Sequence, residues 1–163
     1  MWLDVVFTPL YVAGVETLDT PAGGSGYGTA VIHADYTHSL LGALLLSALF
    51  GALLGWRWGR KAGLVLAAVA FSHWVLDLIV HRADLPILPG NLAGLPLLGF
   101  GLWRAPVASM LLDAALLLAG VLLYWRAAKR STSTTKARTS PALASLVLLA
   151  SGIAVLALDA MGL

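Results

Sequence analysis

The chain has 163 residues, 60% of them hydrophobic and only 11% charged, with a net charge of +2 and a mean hydropathy of +0.89. A soluble domain carries about a quarter charged residues, so this composition excludes an ordinary water-soluble fold and predicts an all-α, polytopic membrane bundle. The lack of cysteine excludes disulfides and thiolate metal sites, which leaves imidazole and carboxylate as metal ligands. The basic residues cluster in two short loops, which points to membrane topology rather than to nucleic acid.

Residues 1–15 are apolar but too short to span comfortably, and Asp4 and Pro9 interrupt them. They predict a partial or interfacial helix, and without a basic leading region or a small-residue cleavage site they do not read as a secretory signal. Residues 16–38, with Pro21 and the Gly23-Gly-Ser-Gly-Tyr-Gly28 run, predict an outer loop. No Lys-Ser/Thr follows the glycines, so they form no phosphate loop.

The first span is expected over 39–56, opened by Asp35-Tyr-Thr-His-Ser39, where Asp, Thr or Ser can cap a helix. Its Gly51-Ala-Leu-Leu-Gly55 face would let another helix approach closely. The second span is expected over 62–80, and Pro86 prevents its continuation. Residues 81–106, rich in proline and glycine, predict an outer loop or re-entrant segment. Spans over 107–125 and 141–161 complete the set, with Asp113 and Asp159 inside them and a basic, Ser/Thr-rich linker between.

Eight of the ten basic residues fall in the loops joining the first span to the second and the third to the fourth. The positive-inside rule places both loops in the cytoplasm. Every acidic residue then belongs to the outer half of the molecule, as do His38 and His81.

The stretch Phe71-Ser-His-Trp-Val-Leu-Asp-Leu-Ile-Val-His81 places His73, Asp77 and His81 at intervals of four on one helix face. Ionisable groups inside a span cost at least about 2.5 kcal/mol each at its centre, so they mark function by default. His73 and His81 are separated by about 12 Å along a helix axis at 1.5 Å per residue. An undistorted helix therefore cannot give all three to one metal, whose ligands lie about 2 Å from it. The expected division pairs Asp77 with His81, nearest the level of His38, and leaves His73 to orient a ligand, serve a second ion or bond between helices. The bland alternative for the stripe is interhelical polar glue. Asp35 before His38 can equally be a helix cap, Asp113 can be a ligand, a partner for a histidine or a partner for Arg82 or Arg104, and Asp4 is open.

Asp35-Tyr-Thr-His-Ser-Leu-Leu41, Ser72-His-Trp-Val-Leu-Asp-Leu-Ile-Val-His-Arg-Ala-Asp-Leu-Pro86 and Gly99-Phe-Gly-Leu-Trp103 together resemble the motifs of a bacterial inner-membrane family. These are the membrane-bound metal-dependent hydrolases, some described as LexA-binding inner-membrane-associated hydrolases. The similarity runs from about residue 3 to residue 126. It implies a small polytopic helical protein with metal positions at His38, His73, Asp77 and His81, and with Asp4 matching an acidic position in the family's early helix. Two departures stand out. The family's usual first membrane segment, with its Gly-His, lies before the point at which this sequence begins, and the family's Gly-Leu-Trp-Asn-Ser reads Gly-Leu-Trp103-Arg-Ala.

Two functions follow as expectations. In the first, His38, Asp77 and His81 hold a divalent metal such as Zn²⁺, and Asp35, Asp84 or Asp113 accepts a proton from the attacking water. Its substrate would be a membrane lipid or a lipid-linked ester or phosphoester. In the second, the protein is a non-catalytic subunit of a larger membrane complex or a homo-oligomer, with His and Asp as structural bonds or as ligands of a pigment or haem iron. Transport is a weaker third, because the inner half carries almost no polar groups.

Overall fold

A computed structural model describes residues 2–19, 30–131 and 140–161. The described residues are mostly helical: α1 (Trp2–Val12), α2 (Leu40–Trp58), α3 (Arg60–Val80), α4 (Pro106–Ser131) and α5 (Pro141–Met161). The protein is an α-helical, multi-pass membrane protein. Four of these helices, all but α1, are long and apolar enough to cross a bilayer. The 19 residues of α2 extend about 28 Å at 1.5 Å per residue, close to the hydrocarbon thickness of about 30 Å. Their outward side chains, such as Leu45, Leu49 and Leu53, are exposed and apolar, as a lipid solvent requires.

The chain forms two compact units. The first contains α1, α2, α3 and the segments around them. Here α2 and α3 form a hairpin joined by Gly59 alone, at φ +93°, a conformation that glycine adopts at little cost. The basic segment 57–61, expected between spans, is instead nearly all helix. Close approach comes from Gly51 and Gly55 on α2 against Gly63 on α3, where an added Cβ at Gly63 would collide with the Gly51 carbonyl oxygen.

Helix α1 lies on this hairpin. Leu3 is fully buried with Ala43 and Trp74, surrounded by Trp2, Leu40, Leu46, Phe71, Leu78 and Leu98. The Trp2 indole donates to the Leu46 carbonyl at 3.1 Å and stacks on Phe50.

Residues 16–38, expected to be loop, include a small antiparallel hairpin of β1 (Thr17–Asp19) and β2 (Val31–His33), with Thr17 opposite His33. Three-residue strands are too short for hydrophobic alternation to announce them. The Gly23–Gly28 run lies outside the described residues. Ser39 caps α2 by accepting the Gly42 N–H at 3.0 Å, and the Leu40 and Leu41 N–H groups donate to the carbonyls of Pro86 and Ile87. These bonds satisfy donors that every helix start leaves without an intrahelical partner, and they tie the 81–106 segment to the start of α2.

That segment is irregular, with a bridge between Leu85 and Leu98 and tight turns at Pro89–Gly94. Gly99 sits against the Arg82 carbonyl, where a Cβ would clash. The second unit pairs α4 with α5. Helix α4 continues past Trp125 to Ser131, because Arg126-Ala-Ala-Lys-Arg130 are good helix formers, and the Lys129 ammonium lies 3.8 Å from the Trp125 ring centroid.

Candidate metal centre

Four side chains from three parts of the first unit meet at one point. Asp4 comes from α1, His38 from the turn before α2, and His73 and Asp77 from successive turns of α3. Asp4 Oδ1 lies 3.6 Å from His38 Nε2, and Asp4 Oδ2 lies 3.2 Å from His73 Nε2. Asp77 Oδ2 lies 3.7 Å from His38 Nε2 and 3.5 Å from His73 Nε2. Asp4, His38 and His73 each offer a ligand atom within 4.8 Å of the others. Ligands held about 2.0–2.2 Å from zinc in a tetrahedron stand about 3.3–3.6 Å apart, so these nitrogen–oxygen separations suit one ion.

Exposure is graded across the cluster. His38 and Asp77 are buried or nearly so, His73 is partly covered, and the Asp4 side chain is 50% exposed. The open side is therefore at Asp4. Asp77 Oδ2 is fully covered yet makes no hydrogen bond among the described residues. A buried carboxylate oxygen without a donor is costly, and a cation between it and the two imidazoles would remove that cost. The imidazoles of His38 and then His73 hold the Asp4 carboxyl far below the usual carboxylate range, although burial pushes the other way.

The local sequence explains the convergence. The i, i+4 spacing of His73 and Asp77 aligns them on α3. Leu3, buried in the core, fixes the rotation of α1 and so the direction of Asp4. His38 is held from both sides of its backbone: its N–H donates to the Ala34 carbonyl at 3.0 Å, and its own carbonyl accepts the Trp74 indole N–H at 2.7 Å.

The expected pairing of Asp77 with His81 is not the arrangement found, since Asp77 faces His73 and His38. His81 ends α3 in an extended conformation, φ −61° and ψ 150°, so the helical spacing that carried it onto the stripe stops one residue short of it. Its Nδ1 meets Asp84 Oδ1 at 3.0 Å, and its ring lies 4.3 Å from that of Trp103. Asp84 thus pairs with His81 rather than with the cluster. Asp35 is half-buried and its carbonyl accepts the Gly90 N–H; its carboxylate is not in the cluster. Asp113 lies on α4 in the second unit. The remaining histidine, His33, pairs with Asp19 across the β hairpin at 3.2 Å on an exposed surface.

Two residues outside the expected set stand behind His38. Thr37 Oγ1 is 2.8 Å from His38 Nδ1, and the almost fully buried Glu16 accepts from the N–H groups of Tyr36 and Thr37 and from the Thr37 hydroxyl. In the sequence, Glu16 is one of three acids in the segment 16–38, with Asp19 and Asp35, and nothing sets it apart. The only local signal is a hydroxyl residue directly before His38.

No protein-family model, no curated protein and no solved structure matches the chain.

Proposed function

We propose that this protein is a membrane-bound, metal-dependent hydrolase whose Asp4, His38, His73 and Asp77 hold a divalent ion, zinc or one of similar preference. The observation carrying this reading is the buried Asp77 Oδ2, without a hydrogen-bond donor among the described residues and 3.5–3.7 Å from two imidazole nitrogens. An ion held there by four side chains would have to take water as a fifth ligand, and would then supply Lewis acidity and bring the pKa of that water towards 7. The chain's own part is to present two imidazole nitrogens and two carboxylates in a fixed arrangement. It also leaves the half-exposed Asp4 at the mouth, on the side open to an entering water.

The distribution of Lys and Arg supports an outward-facing site, with the basic segments 57–61 and 126–138 on the cytoplasmic side of a bacterial inner membrane. A site at that level favours a lipid or lipid-linked ester or phosphoester. Zinc content, measured on detergent-purified protein washed with EDTA and reloaded, should approach one ion per chain and fall in Asp77→Asn. Hydrolysis of ester and phosphodiester substrates presented in lipid vesicles should fall with it. Retention of no metal by the reloaded protein would overturn the assignment.

The burial of Leu3 directly beside Asp4 favours a second reading, an ion that clamps α1 to the helical hairpin without catalysis. Stoichiometric zinc with no hydrolysis of any ester or phosphodiester would select it.

A further inference from the structure

We propose that Glu16 and Thr37 form a hydrogen-bonded brace that sets the tautomer of His38 and so makes its Nε2 a ligand. Glu16 Oε1 accepts the backbone N–H groups of Tyr36 at 2.9 Å and Thr37 at 2.8 Å. The Thr37 hydroxyl lies 3.1 Å from Oε1 and 3.0 Å from Oε2. A carboxylate can only accept, and hydrogen bonds to an ionised acceptor are about twice as strong as neutral ones, so the single hydroxyl proton goes to Glu16.

Thr37 Oγ1 then faces His38 Nδ1, 2.8 Å away, with lone pairs alone. It can be satisfied there only by an Nδ1–H donor. A neutral imidazole protonated at Nδ1 carries its lone pair on Nε2, the atom that faces Asp4 and Asp77. The proton order therefore runs from His38 to Thr37 to Glu16. Glu16 and Thr37 are each 1% exposed, so water does not compete for these bonds. Both are positioning residues, because neither reaches the ligand atoms.

The consequence for metal binding rests on the zinc reading, whereas the tautomer does not. Glu16→Gln is the informative change. Its amide can accept the backbone N–H groups with its oxygen while its NH₂ donates to Thr37 Oγ1. The hydroxyl proton is then turned towards His38 Nδ1, the imidazole proton moves to Nε2, and the ligand atom is blocked.

The test uses full-length protein in detergent with ¹⁵N-labelled histidine, where four histidines allow assignment by single substitution. Metal-free wild type should show His38 as the Nδ1–H tautomer. Glu16→Gln and Thr37→Val should lose that signature, and Thr37→Ser should retain it. Zn²⁺ affinity, measured by competition with a chelating dye, should fall about 10–100-fold in Glu16→Gln and Thr37→Val, the range usual for partners behind a ligand, and recover in Thr37→Ser.

An Nε2–H tautomer in the metal-free wild type, or an Nδ1–H signature unchanged in Glu16→Gln, overturns the brace whatever zinc does. If wild type, His38→Ala and Asp77→Asn are alike in failing to bind zinc, the metal reading falls while the tautomer result still decides the brace. Should Thr37→Val not fold, Glu16→Gln, of nearly the same size and shape, carries the test.

Discussion

His73 Nε2 stands 3.2 Å from Asp4 Oδ2, so a residue near the start of the chain closes a site whose other members lie on or just before the helical hairpin. This contact separates the roles of two histidines that share one helix motif. His73→Ala should lower Zn²⁺ affinity at least 100-fold, since it removes a proposed ligand. His81→Ala should leave affinity within about threefold and act on stability instead, because His81 bonds Asp84 and packs on Trp103. Calorimetric titration of both variants checks this, and equal losses in the two would contradict the assignment.

Asp4→Asn keeps the size of the side chain but removes the charge that answers two imidazoles. Zn²⁺ binding should weaken about tenfold or more, yet by less than in His73→Ala, because the amide oxygen still offers a lone pair. Helix α1 should remain seated, because Leu3 and Trp2 still anchor it. Amide exchange across residues 2–12 reads the second outcome, and rapid exchange there would show that the charge, not the core, holds the helix.

Zinc should stabilise the fold by linkage. At a free concentration 100 times the dissociation constant, a ligand that binds only the native state contributes about 2.7 kcal/mol. The thermal midpoint of EDTA-treated protein in detergent should rise on adding Zn²⁺, and the rise should vanish in the double variant His38→Ala/His73→Ala. A similar rise in that variant would point to binding elsewhere.

Gly42 lies under the turn that carries Thr37 and His38, and a Cβ there would collide with the Tyr36 carbonyl oxygen and come 2.7 Å from Ser39 Oγ. Gly42→Ala should displace that turn and reduce Zn²⁺ affinity more than tenfold while far-ultraviolet circular dichroism stays helical. Gly120, with nothing among the described residues within 4 Å of an added Cβ, provides the control: Gly120→Ala should be neutral or slightly stabilising, since alanine is the better helix former.

The long helices were legible because each carries its evidence in its own residues: nineteen or more mostly apolar positions need no partner to be recognised. The same holds for the i, i+4 relation of His73 and Asp77. What escaped depends on residues far apart or on the exact end of a helix. His81 sits one residue beyond Val80, where periodicity no longer applies. Glu16 acquires meaning only when the β hairpin brings it beneath Thr37, 21 positions later. Asp4 remained open in the sequence because nothing in residues 1–15 says which way the short helix faces; that direction is set by burial of Leu3 against Ala43 and Trp74.

Leu3 and Asp4 are neighbours in sequence, about 100° apart around the axis of α1. One points into the apolar core and the other towards the imidazoles. The oily anchor and the charged side chain therefore share a single degree of freedom, the roll of α1 about its own axis. No rotation can improve one without spoiling the other. An insertion of one residue between Leu3 and Asp4 would set them about 200° apart around the axis, so this helix works as a key whose two adjacent teeth must enter together.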